Sequence, residues 1–260
     1  MKTMKKIVCL LIALLLAVSL CACGKSAGGD LDKIKKAGKM IVGITDYEPM
    51  DYLDANGEWT GFDAEFARAV AGELGAEVEF IEIDWDNKFF ELDSGAIDCI
   101  WNGMTITTEA TANADVSDAY VVNAQVVVMA KDKLADYTDA DSLAGLAFAV
   151  EAGSAGAEAL DSVGITDYTA VDTQSTALME VASGSSDACV IDITMANAMT
   201  GEGTSYADLG YSVSLTSEEY GVAFRKGSDL TAKVNELMAA MKADGSLQTL
   251  ADKYGLTLAD

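Results

Sequence analysis

The sequence predicts an α/β fold of two similar lobes, each a mostly parallel sheet flanked by helices. Two observations predict this fold class. Short apolar runs alternate with amphipathic stretches along the chain, the order that builds parallel sheets covered by helices. A turn segment at 94–98 (SGAID) returns at 183–187 (SGSSD), which indicates two units built alike. Ligands are then expected at the carboxyl ends of the strands, in the cleft where the lobes face each other.

The spacing of apolar residues predicts the elements of the first half of the chain. We expect strands at 40–45, 77–83 and 97–101, and helices at 63–74 and 87–93. After the apolar run 121–129 the order starts again. We expect strands at 146–150, 169–171 and 188–191, helices at 155–162 and 173–182, a strand at 220–224, and closing helices at 230–243 and 247–254.

The first 22 residues have the pattern of an export signal. A basic start precedes an apolar run from residue 7 to 20, which is shorter than the roughly 20 residues needed to span a bilayer. The run ends in Leu20-Cys21-Ala22-Cys23, and glycine and serine residues follow it, as in a flexible leash. We therefore expect residues 1–22 to be removed, residues 23–34 to form the leash, and the mature protein to work outside the cytoplasm.

Composition excludes several classes of function. Loss of residues 1–22 reduces the 17 basic residues to 14, against 42 acidic ones. Such a surface opposes binding to nucleic acid and favours cations, although solubility alone also explains it. The chain has no histidine, which excludes hydrolases and metalloenzymes built on that residue. Cys99 and Cys189 lie in apolar runs and are expected as packed core residues rather than a redox pair.

Several short motifs follow one another along the chain. They are 47–50 (YEPM), 56–63 (NGEWTGFD), 102–109 (NGMTITTE), 117–120 (SDAY), 153–154 (GS), 187–192 (DACVID) and 220–223 (YGVA). Together they resemble the amino-acid-binding family of bacterial extracytoplasmic solute-binding proteins. The resemblance implies a type II periplasmic-binding-protein-like fold whose lobes are joined by two crossover strands. Lobe one would take residues 35–128 and 222–260, and lobe two residues 129–221.

The same resemblance implies a function and its partners. The family captures an amino acid in the cleft and delivers it to the permease and ATPase subunits of an ABC importer. The segment ending in Cys23 resembles the bacterial lipobox, which implies that Cys23 carries the lipid that anchors the protein to the cell membrane. Two acyl chains hold a protein at a membrane stably, whereas one holds it only marginally. We expect a monomer that needs no cofactor and no metal and is not an enzyme.

Three positions that match the family would hold the ligand ammonium. They are the Gly103 carbonyl, the Thr105 hydroxyl and the Asp192 carboxylate. Three acceptors match the three protons of an ammonium group. Taken alone, an aspartate at a strand end, such as Asp192, is also typical of a helix cap.

The carboxylate end departs from the family pattern. The family has an arginine where this chain has Ala110, and the only arginines here, Arg68 and Arg225, lie elsewhere. The remaining donors would be the backbone amides of Ser154 and Ala155 at a helix start, with the hydroxyls of Thr107 and Ser154. Because a buried carboxylate without a cation costs free energy, the ligand would bind weakly or lack that group, unless the alignment is shifted here.

The side-chain end of the predicted site is aromatic and acidic. Tyr47 and Trp85 match family positions whose rings stack on the ligand, and such a ring stabilises a desolvated cation by about 2 kcal/mol. Glu151 matches a position that varies among relatives and reads the ligand side chain. A polar or basic amino acid is favoured; a solvated glutamate is the other interpretation.

Three other functions are compatible with the same sequence. A related cationic amine without a carboxylate would suit a site that lacks the arginine. An enzyme on the same fold, like the periplasmic dehydratases that resemble this family, would need a proton-transfer group, for which Glu109, Glu151 and Asp192 are available. A sensor or interaction domain is the third class.

Overall fold

The apolar runs pair into two five-stranded sheets in the computed structural model, which describes residues 29–260. The strands are β1 Lys39–Ile44, β2 Tyr52–Leu53, β3 Trp59–Thr60, β4 Glu77–Glu82, β5 Cys99–Ile100, β6 Asp115–Val116, β7 Val121–Asn123, β8 Gln125–Ala130, β9 Phe148–Glu151, β10 Tyr168–Val171, β11 Ala188–Asp192, β12 Leu209–Ser214, β13 Glu218–Tyr220 and β14 Ala223–Phe224.

Helices cover both sheets. They are α1 Asp30–Ala37, α2 Phe62–Glu73, α3 Lys88–Ser94, α4 Thr108–Asn113, α5 Ala155–Ser162, α6 Gln174–Ser183, α7 Ile193–Met199, α8 Leu230–Asp244 and α9 Ser246–Tyr254, with short 3₁₀ helices at Trp85–Asn87, Leu134–Asp136 and Ala140–Leu143. Among residues 29–260, no helix is both long and apolar enough to cross a membrane.

Both sheets are mixed rather than wholly parallel. The first has the strand order β4-β1-β5-β14-β6 and the second β10-β9-β11-β8-β12. In each, three neighbouring strands are parallel and the next two pairings are antiparallel. β8 and β14 run opposite to the other strands of their sheets, and each directly follows one of the two crossings between the lobes. The predicted two-lobed α/β fold is confirmed.

Two antiparallel strands connect the lobes. β7 pairs with β13, with Asn123 opposite Glu218 and Val121 opposite Tyr220. The apolar run predicted as one strand at 220–224 is therefore divided between β13 in this connection and β14 in the first sheet. Two short paired strands are the expected site of a hinge, because few backbone dihedrals have to change for the lobes to rotate.

Two expected boundaries differ from the structure. Residues 30–34 of the expected leash belong to α1, where Ile34 is fully buried and Asp30 pairs with Arg225 at 2.8 Å. The lobe boundary expected between 128 and 129 lies within β8, which pairs with β11 and β12 in the second sheet. The chain therefore passes from the connecting strand β7 into lobe two near Ala124. Residues 1–28, with the expected signal and Cys23, lie outside the described part of the chain.

The repeated turn segments have the same structure in both lobes. Gly95 ends α3 with φ of 79° and Gly184 ends α6 with φ of 77°, a left-handed conformation that glycine adopts without strain. The carboxylates of Asp98 and Asp187 each accept a backbone N–H near the start of a strand in their own lobe, at 3.0 and 3.1 Å. The repeat is therefore a shared structural turn that lies away from the cleft.

The two cysteines of the described chain are buried and free, one in each sheet. Burial raises the pKa of both the Cys99 and Cys189 thiols well above the usual range. The prediction that they are packed core residues is confirmed.

Candidate ligand-binding site

A cavity lies between the lobes at the carboxyl ends of β5, β9 and β11. The space between the cavity walls, with the mouth included, is about 450 Å³. Seven of the eight residues predicted to bind ligand line it: Trp85, Gly103, Thr105, Glu151, Ser154, Ala155 and Asp192. The segment after β5 supplies the lobe-one wall, and the ends of β9 and β11 supply the lobe-two wall.

Asp192 is held in the cavity wall by amide side chains. It stands at the N-cap position of α7, yet its side chain makes no capping bond. Its carboxylate instead accepts hydrogen bonds from the amides of Asn123, Gln125 and Gln174. Burial, and secondarily the charge of Glu218, raise the pKa of the Asp192 carboxyl to about 7. The Asp192 carboxyl group therefore lines the cavity, bound by three amides, and does not cap the helix.

Glu218 on the hinge strand β13 joins the two lobes through hydrogen bonds. It accepts from the Thr105 hydroxyl of lobe one at 2.8 Å and from the Asn123 and Gln125 amides at 2.7 Å each. The Thr216 hydroxyl donates to its second oxygen at 3.0 Å. Because Thr105 uses its proton on Glu218, its oxygen lone pairs are free to accept from a ligand. Sequence reasoning missed Glu218, because only the β7–β13 pairing brings it to the site.

Tyr47 lies behind the cavity wall rather than in it. The ring is buried, 2 % exposed, and its hydroxyl hydrogen-bonds to the Thr194 and Tyr220 hydroxyls. Gly103 packs directly on this ring, since a Cβ at Gly103 would lie 2.5 Å from Tyr47 Cε1. The expected stacking of Tyr47 on the ligand therefore differs from the structure, in which the ring supports Gly103. The backbone N–H of Gly103 donates to Asp63 at 2.6 Å, which fixes the peptide from behind.

Glu151 ends β9 inside the cavity. Its side chain is 3 % exposed, and its Oε1 atom has no hydrogen-bond partner among residues 29–260. Burial, followed by the charge of Asp192, raises the pKa of Glu151 to about 8. The side chain is therefore not a solvated surface glutamate; it is a buried carboxyl that a cationic group entering the cavity would ionise.

Two capped helix starts face the cavity from opposite lobes. Thr107 caps α4 by accepting the Ala110 N–H at 3.1 Å, and Ser154 caps α5 by accepting the Ala157 N–H at 3.2 Å. Each hydroxyl keeps a proton that it can donate to an anion. Ala110 is buried and lines the cavity, so the position where the family carries arginine offers a methyl group only.

Lys88 is the cation that sequence reasoning missed. It begins α3, three residues after Trp85, and is only 6 % exposed. Its Nζ donates to the Trp85 carbonyl at 3.2 Å and, across the cleft, to the Gly153 carbonyl at 2.8 Å. The only signal in the sequence was that spacing from Trp85, which places both side chains on one face of a helical turn.

The two arginines do not contribute to the cavity. Arg68 donates to the Trp59 carbonyl at 2.7 Å on the surface of lobe one. Arg225 pairs with Asp30 at 2.8 Å and Asp98 at 3.3 Å, where it holds α1 to the lobe. Lys88 is therefore the basic residue that lines the cavity within the described part of the chain.

The lobes touch closely at the cavity mouth. Gly153 has φ of 64°, and a Cβ there would lie 2.6 Å from Asp86 Oδ1. Any side chain at Gly153 would have to push Asp86 away, so glycine lets the loop before α5 reach the 3₁₀ turn of lobe one. The Lys88–Gly153 hydrogen bond crosses the cleft at this point.

Comparisons with known proteins give a consistent assignment. Residues 40–257 match the family described as bacterial extracellular solute-binding proteins, family 3. The chain is 32% identical over 230 residues to the L-cystine-binding protein TcyJ of Escherichia coli (strain K12), with 87% of this chain and 86% of that protein covered. It is also 32% identical over 262 residues to the arginine-binding extracellular protein ArtP of Bacillus subtilis (strain 168), with 96% and 98% covered.

A solved structure supports the same assignment at the level of the fold. A crystal structure of a mutant of ArgBP from T. maritima has a TM-score of 0.80 and 32% sequence identity, with 86% of this chain and 98% of that chain covered. The fold is that of the type II periplasmic amino-acid-binding proteins, as the motifs predict. This chain therefore belongs to the bacterial extracellular solute-binding proteins of family 3.

Proposed function

We propose that this protein is the extracytoplasmic solute-binding component of an ABC importer, and that it captures an amino acid with a cationic side chain. The observation that carries the proposal is the cavity between the lobes, where Asp192 of lobe two faces Thr105 and Gly103 of lobe one. A ligand that contacts both walls binds the closed arrangement better than an open one, so binding shifts the lobes towards closure.

The ammonium group of the ligand binds at Asp192, Thr105 and Gly103. The Thr105 oxygen is oriented by its bond to Glu218, and the Asp192 carboxylate is oriented by three amides. An ammonium between these groups has a charged acceptor and two neutral ones, which satisfies its three protons. Both lobes contribute, so the same contacts hold the cleft closed.

The charge of the cavity favours a cationic side chain. Four carboxyl groups, those of Glu109, Glu151, Glu158 and Asp192, line the cavity together with one lysine. The Glu151 carboxyl is buried, and Trp85 lines the same cavity with a ring that is apolar and attracts cations. Two proteins similar to this chain are named as arginine-binding, which accords with a basic ligand.

The importer partners and the membrane anchor complete the proposal. Delivery requires a permease and an ATPase, and the family to which the chain belongs is extracellular. Cys23 tethers the protein to the cell membrane through its lipid. The protein acts as a binding protein, not as an enzyme.

A thermal-shift screen tests the proposal. The panel contains the twenty amino acids, L-ornithine and L-cystine, with agmatine, cadaverine and histamine as amines. A ligand at a hundred times its dissociation constant stabilises the folded state by about 2.7 kcal/mol, which raises the melting temperature by several degrees. We expect basic amino acids to give the largest shifts. A panel in which no amino acid raises the melting temperature contradicts the proposal, and a shift with amines alone favours the amine alternative.

A further inference from the structure

Lys88 is a buried ammonium without an anionic partner. It is only 6 % exposed, and its two hydrogen bonds go to the carbonyls of Trp85 and Gly153. Among residues 29–260, no carboxylate forms an ion pair with it. Its Nζ also lies 4.9 Å from the centroid of the Trp85 ring. A buried charge is costly unless it is paired, and carbonyls and a ring face neutralise none of its charge.

The second positive element of the cavity lies next to Lys88. The Gly153 carbonyl that Lys88 binds belongs to the loop just before α5, which begins at Ala155. The first backbone N–H groups of an eight-residue helix carry partial positive charge. The Ser154 hydroxyl, which accepts the Ala157 N–H, has its own proton left to donate. An ammonium from one lobe and a helix start from the other therefore converge on one small region of the cavity.

The carboxyl groups near Lys88 do not fill this region. Burial lowers the pKa of Lys88, and Glu109, Glu151, Asp86 and Glu158, in that order, act against this shift. Glu109, Glu158 and Asp86 are exposed. Glu151 is buried, but its pKa of about 8 leaves it largely protonated at neutral pH. Each of them is too distant to hydrogen-bond to the ammonium, so one of its three protons has no acceptor in the described chain.

We propose that Lys88 binds the carboxylate of the ligand, together with the Ser154 hydroxyl and the start of α5. Lys88 thereby supplies, from α3, the positive charge for the carboxylate that the family's arginine supplies from the position of Ala110 on α4. This inference rests on the proposed amino-acid function and deepens it, because it requires a ligand that carries a carboxylate. A carboxylate between Lys88 and α5 also bridges the two lobes at the point where they already touch.

The assignment predicts which ligands the wild-type protein prefers. An amino acid places its carboxylate against Lys88, whereas the corresponding amine leaves the lysine unpaired. Wild-type protein should therefore bind L-arginine at least tenfold more tightly than agmatine, which differs from it by the carboxylate alone. L-lysine with cadaverine and L-histidine with histamine are equivalent pairs, and calorimetry is done with the pair whose amino acid gives the largest thermal shift.

Three variants separate the charge of Lys88 from its packing. Lys88→Met keeps the apolar stem against Trp85, and Lys88→Gln keeps a donor for the Gly153 carbonyl, but both remove the positive charge. Both should weaken binding of the amino acid by tenfold or more and leave the affinity for the amine equal or higher. Lys88→Met combined with Ala110→Arg returns a cation to the cavity from α4 and should restore the preference for the acid. Lys36→Met, an exposed lysine on α1, is the matched control.

The outcomes are distinct. If folded Lys88→Met and Lys88→Gln proteins keep the wild-type ratio of acid to amine affinity, Lys88 does not bind the carboxylate. A wild-type protein that binds the amine as tightly as the amino acid also overturns the assignment, while leaving a cation-binding cleft in place. A wild-type protein that binds no amino acid and no amine overturns the proposed function, and the role of Lys88 with it.

Discussion

Asp192 and Glu218 accept hydrogen bonds from the same two amide side chains. Asn123 and Gln125 each donate to both carboxylates, so the two acidic groups lie close together at the base of the hinge. One belongs to lobe two and the other to the hinge strand that contacts Thr105 of lobe one. Hydrogen bonds through these two amides therefore connect Asp192, where we propose that the ligand ammonium binds, to the strand at which we expect the lobes to hinge.

The first prediction concerns this pair of carboxylates. In Glu218→Gln the negative charge beside Asp192 is lost, and the pKa of Asp192, raised in part by that charge, should fall. Asp192 would then be ionised at lower pH, and the pH at which cationic ligands begin to bind should shift down. The measurement is the affinity for the ligand found in the screen, by calorimetry between pH 5 and pH 9. An unchanged midpoint would mean that Glu218 does not influence Asp192.

The second prediction is that binding releases protons. The pKa values of Glu151 and Asp192 are about 8 and 7, so both carboxyl groups hold protons for part of the time at pH 7. A bound cation lowers both pKa values, because it stabilises the charged form. Affinity should therefore rise with pH between about 6 and 8.

Calorimetry in phosphate and Tris buffers measures this release directly, because the two buffers differ in their heat of protonation. We expect a heat difference that corresponds to proton release at pH 7, and a smaller difference in Glu151→Gln. Equal heats in the two buffers would show that no carboxyl group in the cavity changes its protonation on binding.

The sequence predicted the site residues whose positions depend on their neighbours in the chain, and it did not predict those whose positions depend on distant residues. Ser154 and the predicted helix at 155–162 match the structure because a serine cap is a local signal, read from neighbouring residues. Asp192 and Trp85 follow strand ends whose position the apolar runs define. Lys88 and Glu218 were missed because their roles depend on the other lobe and on the hinge register, which connect residues distant in sequence.

Tyr47 was identified from its local motif, but distant residues decide where its ring lies. Its motif is local, but the partners of its hydroxyl, Thr194 and Tyr220, are 147 and 173 residues away. Those bonds hold the ring beneath Gly103, so the residue matches the family pattern and still lies outside the cavity. The mixed order of the sheets was likewise not predictable from the alternation, because the crossings decide which strands run antiparallel.

The third prediction concerns stability, through a pair of buried acids behind Gly103. Asp51 is fully buried with no partner for either oxygen in the described chain, and burial followed by the charge of Asp63 raises its pKa well above the usual range. Burial also raises the pKa of Asp63 to about 7. Both folded-state pKa values exceed those of the unfolded chain. Their contribution to stability is therefore present below pH 4 and is lost as the pH rises towards 7 and above.

Asp51→Asn should relieve this loss. We expect the variant to match the wild type in free energy of unfolding near pH 4 and to exceed it at pH 8, because the neutral amide does not ionise and so avoids the cost of a buried charge. Urea denaturation at the two pH values measures the difference. Asp167→Asn, which removes the same charge from an exposed position, is the control for net charge. A variant that is less stable than the wild type at pH 8 would contradict the prediction.

The fourth prediction concerns anchoring. Cys23→Ser should abolish attachment of the lipid and release the protein into the medium, while its melting temperature stays unchanged. Labelling of cells with a fatty-acid analogue, followed by separation of membranes and medium, measures both effects. Cys21→Ser is the matched control, because that residue leaves with the signal. Continued labelling of the Cys23→Ser protein would rule out this cysteine as the anchor.

Calorimetry on wild-type protein, Asp192→Asn and Asp167→Asn is the most direct test of the central claim, that Asp192 holds the ammonium of an amino acid between the lobes. Asp192→Asn retains the shape of the side chain and removes its charge, and loss of one partner of a buried charge pair costs about 2–5 kcal/mol. The account predicts that the amino acid selected by the screen binds Asp192→Asn at least thirtyfold more weakly, and binds Asp167→Asn like the wild type. An Asp192→Asn protein with wild-type affinity would contradict it.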